Sequence, residues 1–285
     1  MIELLLILLK FSVVALILAI GMSSTFADLG YLWRRPALLA RSFLAMYVLV
    51  PLAAWLIVKV FPIGPPVKAA LLILAASAGA PLLPKKLLGL GSGAYTFSLV
   101  VSSSVLAIFL VPAWVWLLGQ HFEAAADISP TVVAFVVAKT FLVPLAIGMI
   151  LRAWAPGWCE RLANRLLAVA GIVLAACSVA LLAVNWEVFL HVRFMGMGAL
   201  FALLVMALAI GHALGGPSAD DRTALAVACS TRHIGLAVLV ASSFPGTRST
   251  VLVAAYIVTS MLVTLPYLRW RRARARRQAS AGAAG

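Results

Sequence analysis

Apolar runs long enough to cross a membrane follow one another along almost the whole chain. That pattern decides most of what the chain can fold into. Crossing ~30 Å of hydrocarbon takes roughly 20 apolar residues as a helix, which satisfies its own backbone where no water is present. Nine such runs are read at 4–24, 40–60, 66–92, 95–118, 130–153, 163–185, 191–214, 222–243 and 247–269. They are far too long for the alternating strands of a barrel. Composition excludes a soluble alternative: 65% of residues are hydrophobic and 11% charged, against about half and about a quarter in ordinary globular domains. The fold class expected is an all-α polytopic membrane protein, with one transmembrane domain over 1–269 in halves of about 1–118 and 130–269. A basic tail, 270–285, is expected to be disordered.

The net charge of +14 could suggest nucleic acid, but its placement argues for a lipid bilayer as partner instead. Arg269 ends the last run, and Arg271, Arg272, Arg274, Arg276 and Arg277 follow it. Arg34, Arg35 and Arg41 follow the first, Lys85 and Lys86 end the third, and Arg152, Arg161 and Arg165 surround the loop after the fifth. With Arg222, one side collects most of the 22 Lys and Arg, while an opposite loop, 119–129, carries Glu123 and Asp127. Basic flanks stay cytosolic, so the expectation is a plasma (inner) membrane protein with its N-terminus outside and its C-terminus inside. The first run has Glu3 near its start and its arginines after it. That is the reverse of a signal peptide, so it is read as a true span.

Two runs are interrupted. The third passes from Leu71–Ala80 into Pro81-Leu82-Leu83-Pro84-Lys85-Lys86 and then a glycine-rich stretch to Gly93. Two prolines three apart cannot continue an ideal helix. The eighth is apolar to Cys229, then reads Ser230-Thr231-Arg232-His233 before returning to apolar at Ile234. Charges at mid-span cost several kcal/mol and mark pathways or sites. Paired interrupted spans in corresponding halves point to the midplane site of a secondary transporter. Two plainer readings stay open: the prolines kink a packed helix, and the lysines snorkel to the interface. Arg232 lies too deep to snorkel easily.

Softer polar signals are Ser98 and Ser102, which share a helix face, the neighbouring Ser103 and Ser104, and Lys139 inside the fifth run. His212 reads as a packed polar residue. Cys159, Cys177 and Cys229 form no ligand-type pair, and no metal or other cofactor is expected. An intramembrane enzyme is disfavoured: there is no His-Glu-x-x-His motif, no aspartate lies mid-span, and a Ser230–His233 pair has nothing to orient its imidazole. A channel is disfavoured because no ring of like charges or repeated filter is present.

At these residues the chain resembles the bile acid:sodium symporter family. The likeness is carried by Gly21-Met22, Arg34-Arg35-Pro36 and the run to Pro51; by Lys139, Pro144 and Gly148 in the family's Lys-x4-Pro-x3-Gly spacing; and by Arg222-Thr223 with Gly235-Leu236-Ala237. The resemblance implies two crossing broken helices, core and panel domains, inverted repeats, and alternating-access transport of a small organic anion. It also implies a sodium site, and here the chain departs. Hydroxyls on the helix after the first crossing match Ser98 and Ser102. The family's Ser-Asn pair falls near Pro84 to Lys86, its key acidic residue on Ala228, and an amide ligand on Arg232. A guanidinium beside a sodium site repels the ion by several kcal/mol at low dielectric. The expectation is therefore transport without sodium, with Arg232 hydrogen-bonding the carbonyls freed at the break. The alternative is a sodium-coupled symporter.

Overall fold

The computed structural model describes residues 2–77, 93–122, 131–132, 135, 138–184, 193–232 and 248–283. These residues are helical, with short turns between, and contain no strand. Large apolar side chains such as Phe11, Phe109, Trp154 and Ile172 point outward, while Ser98, Ser103 and Ser104 are buried. That reverses the soluble pattern and is what lipid as solvent selects.

The first helix, α1 (Ile2–Ser23), is followed by a single turn, α2 (Phe26–Leu29). Asp28 shapes that turn by accepting from Thr25 N at 2.8 Å and Thr25 Oγ1 at 2.7 Å. Helices α3 (Pro36–Phe43) and α4 (Val50–Val60) are joined without a break by a π-helical segment, Leu44–Leu49. A second π-helical segment, Ala138–Leu142, leads into the helix that begins at Val143. Both are followed by Val-Pro, at Pro51 and Pro144. Proline has no N–H to return and its ring crowds the carbonyl four residues earlier, so the ladder widens by one residue.

Helix α5 (Pro65–Ala76) ends at Ser77, before the prolines. Ser77 turns its Oγ back to Ile73 O at 2.7 Å, the local competition that loosens helix ends. Then come α6 (Gly93–Phe122), α7 (Val143–Trp154), α8 (Pro156–Val184), α9 (Arg193–Leu214), α10 (Ala219–Ser230) and α11 (Arg248–Ala283). Helix α10 opens on Ser218, whose Oγ accepts from Asp221 N, with Asp220 and Asp221 in the first turn; acidic residues suit the positive end of a helix. It stops after 12 residues, about 18 Å of rise, or little more than half a bilayer core.

Among the described residues, Pro36–Val60, Gly93–Leu110, Pro156–Ala180 and Met195–Leu214 are helices long and apolar enough to cross a membrane. One expectation is corrected. The basic segment after 269, expected to be disordered, continues α11 through Ala283, because Arg, Ala and Gln are strong helix formers.

The helices pack in two groups. Helix α1 lies against α7 and α8; the other group joins α4, α5, α6, α9, α10 and α11. Close crossings hold each. A methyl on Gly21 would run into the Leu145 carbonyl oxygen and stand 3.1 Å from Gly148 Cα, and one on Gly211 would stand 2.5 Å from Ala226 Cα. Small residues let membrane helices approach backbone to backbone. Arg152 Nη1 donates to Met22 O at 3.1 Å, closing the end of α1 beside its crossing. The groups meet chiefly where α8 touches α11.

Candidate functional site

The site is built on the end of α10. Ala224 through Cys229 are wholly buried, so the helix enters the protein interior rather than lipid. At Ser230 the helix stops and Thr231 is extended, φ −112° and ψ 134°. Both hydroxyls turn back to Val227 O, Ser230 at 3.0 Å and Thr231 at 2.7 Å. Stopping a helix leaves carbonyls without N–H partners. The Ser230 carbonyl receives two from α11, Tyr256 Oη at 2.9 Å and Ser260 Oγ at 3.3 Å.

The Arg232 side chain is 3% exposed, yet Nη1 and Nη2 have no hydrogen-bond partner among the described residues. The Ser230 carbonyl, one of those freed at the break and expected to be held by the guanidinium, is held by hydroxyls; the carbonyls of the other interrupted run lie outside the described residues. Among the described residues, the groups within electrostatic reach of Arg232 are Tyr47, Tyr256 and Cys229, all neutral near pH 7. Tyr47 donates its hydroxyl proton to Ser103 O, and Trp114 Nε1 donates to Tyr47 O at 3.1 Å. Ala228, one turn back, offers a methyl group and cannot ligate an ion.

Ser98 and Ser102 lie on one face of α6, as expected, but they face the segment after α1. Ser98 Oγ donates to Leu29 O at 2.8 Å and accepts from Leu32 N at 3.1 Å; Ser102 Oγ accepts from Trp33 Nε1 at 3.0 Å. Lys139 is exposed on its π-helical segment, with Nζ 5.9 Å from the centre of the Phe135 ring. Pro81, Pro84, Lys85, Lys86 and His233 lie outside the described residues. The two interrupted helices do share neighbours: α5 and α10 both pack on α6 and on α11.

At the other end of α10, Arg222 Nε donates to Gly216 O at 2.6 Å. Gly216 has φ +83°, a left-handed turn that suits glycine. Arg271 donates to Thr223 Oγ1 at 2.8 Å and to Ala219 O, tying α11 to the start of α10. His212 Nδ1 lies 2.8 Å from Tyr267 Oη. Among the described residues no group of three or more His, Cys, Asp or Glu is gathered.

Reading the sequence singled out Arg232 but missed Tyr47, Trp33, Tyr256 and Ser260. Each is a polar tip on an apolar body or a small hydroxyl, and raises no alarm inside a hydrophobic run. The signal that could have found them is the accounting of partners at a known helix break.

The comparisons bear on these helices unevenly. No curated protein matches the chain. The model of the Sodium Bile acid symporter family matches residues 7–192, which covers α1 to α8 and stops before α10 and Arg232. The matched stretch takes in both π-helical segments and the Gly21–Gly148 crossing, and it amounts to well over half of the chain. Apolar helices and this match together make the protein an integral membrane transporter of the sodium bile acid symporter family.

Proposed function

We propose that the protein carries a small organic anion across the membrane by alternating access, without sodium coupling. The observation that carries this reading is the Arg232 guanidinium, enclosed at the break of α10 with both terminal nitrogens unpartnered among the described residues. A guanidinium stays charged at any physiological pH and offers its donors in a fork that fits a carboxylate or sulfonate. The same charge disfavours a sodium ion beside it, and Ala228 offers no ligand. Tyr256 and Ser260 already satisfy the Ser230 carbonyl, so neither a metal ion nor Arg232 is needed for it. The remaining parts of the reading come from the sequence: nine spans, an outside N-terminus, a cytosolic C-terminus, and Lys85, Lys86 and Lys139 adding positive potential along the path. The two packed helix groups are the bodies that would move against each other. With sodium absent from the cycle, transport is passive or proton-coupled through His233, the nearest group that titrates near neutral pH.

The family match favours a second reading, a sodium-coupled symporter with Ser98 and Ser102 among the ligands. Uptake of labelled organic anions into proteoliposomes, with and without a sodium gradient, separates the two. The first reading expects equal uptake under both conditions. Uptake that requires the sodium gradient supports the second, and transport of cations with no transport of any anion refutes both.

A further inference from the structure

The geometry points to a binding site for a small inorganic anion, chloride foremost, on the Arg232 guanidinium. This inference deepens the anion reading above and rests on it. It adds that a second, inorganic ligand occupies the same guanidinium when no organic anion does. The first strand of the argument is charge. A buried guanidinium needs an anion or a full set of acceptors, and Nη1 and Nη2 have neither among the described residues. The nearest carboxylates on its own helix, Asp220 and Asp221, begin α10, more than ~15 Å away along the axis. Among the described residues, the neighbours it feels, Tyr47, Tyr256 and Cys229, are neutral groups. Tyr47 and Tyr256 direct their protons to Ser103 O and Ser230 O, so they do not compete with Arg232 as donors to a ligand.

The second strand is size. Nη1 and Nη2 are both cut off from the surface. Whatever balances the charge in this conformation is therefore compact enough to be enclosed with it. A halide meets that condition, whereas an organic anion with an apolar body is too large to be enclosed with the guanidinium in this conformation. Chloride would leave as the organic anion arrives, so the two compete for one guanidinium.

The test uses the purified full-length protein in choline sulfate, with no sodium and no organic anion. Binding of radiolabelled chloride and the melting temperature are followed as choline chloride replaces choline sulfate at constant ionic strength. The expected result is saturable chloride binding with a parallel rise in melting temperature, both lost in Arg232→Gln. Arg232→Lys keeps the charge but loses the fork, and is expected to bind chloride at least tenfold more weakly. Should Arg232→Gln fail to fold, the Arg232→Lys shift decides. Absence of saturable binding to the wild type, or equal affinity in wild type and the variants, overturns the inference. Organic-anion uptake measured on the same preparations keeps the two readings apart. Uptake without chloride binding removes this site alone, and chloride binding without uptake removes the transport reading alone.

Discussion

Arg232 and Tyr256 divide a task that one residue was expected to perform. The guanidinium brings charge to the break of α10, while the phenol and Ser260 bring the donors that the Ser230 carbonyl needs. Their substitutions should therefore behave differently. Arg232→Gln removes a buried charge whose terminal nitrogens bond to none of the described residues, so its stability in chloride-free choline sulfate should equal or exceed that of the wild type, by an increment on the order of 1 kcal/mol read as an equal or higher melting temperature. Its organic-anion uptake should be lost. A marked loss of stability would mean that Arg232 holds backbone after all. Tyr256→Phe deletes one of two donors to a buried carbonyl and should cost about 1 kcal/mol, read as a lower midpoint of chemical or thermal unfolding in detergent. At this scale the sequence was informative only where a residue contradicts its surroundings. Arg232 inside an apolar run is visible at once. The bond from Tyr256 is not, because it joins positions 26 apart in the chain and depends on how α11 leans on α10.

Helices were legible where the apolar runs were long. The starts and ends of α1 and α9 fall within two residues of the expected boundaries, because hydrophobic length and helix length are set by the same bilayer; α8 instead begins at Pro156, well before the expected 163, and α6 runs on to Phe122, past the expected 118. The stop of α10 at Ser230 was legible too, from the polar cluster that interrupts the run. The π-helical segments before Pro51 and Pro144 were not anticipated, although the prolines that cause them were in view. The helical tail was missed because charge density suggested disorder while Arg and Ala favour helix. The close crossings give the clearest test among the helices. A methyl at Gly148 would collide with the backbone of α1 at Leu18, Gly21 and Met22, whereas Gly157 has nothing within 4 Å. Gly148→Ala should therefore lower stability by about 1–3 kcal/mol, and Gly157→Ala should be neutral or slightly stabilising. Thermal unfolding of the two variants side by side checks this; equal melting temperatures would mean that α1 and α7 do not cross backbone to backbone.

For the whole molecule, the distribution of basic residues and the division into two helix groups carry the account. Orientation is testable with one added cysteine, since Cys159, Cys177 and Cys229 are all buried. Ser280→Cys, near the end of α11, should react with a membrane-impermeant maleimide only from the cytosolic side; labelling of intact cells from outside would invert the topology. Family membership was legible from scattered glycines, prolines and basic pairs, because those residues fix crossings, widened turns and flanks that substitution does not easily replace. Coupling is less legible, because it depends on a few atoms at the break. The central claim is that Ala228 and Arg232 have removed the sodium site, and purified wild-type protein tests it without any knowledge of the substrate. Its melting temperature is compared in sodium chloride and potassium chloride at equal ionic strength, so that the anion is constant. The account predicts identical melting temperatures at every concentration. A saturable rise specific to sodium would show that the ion still binds, and would contradict the account.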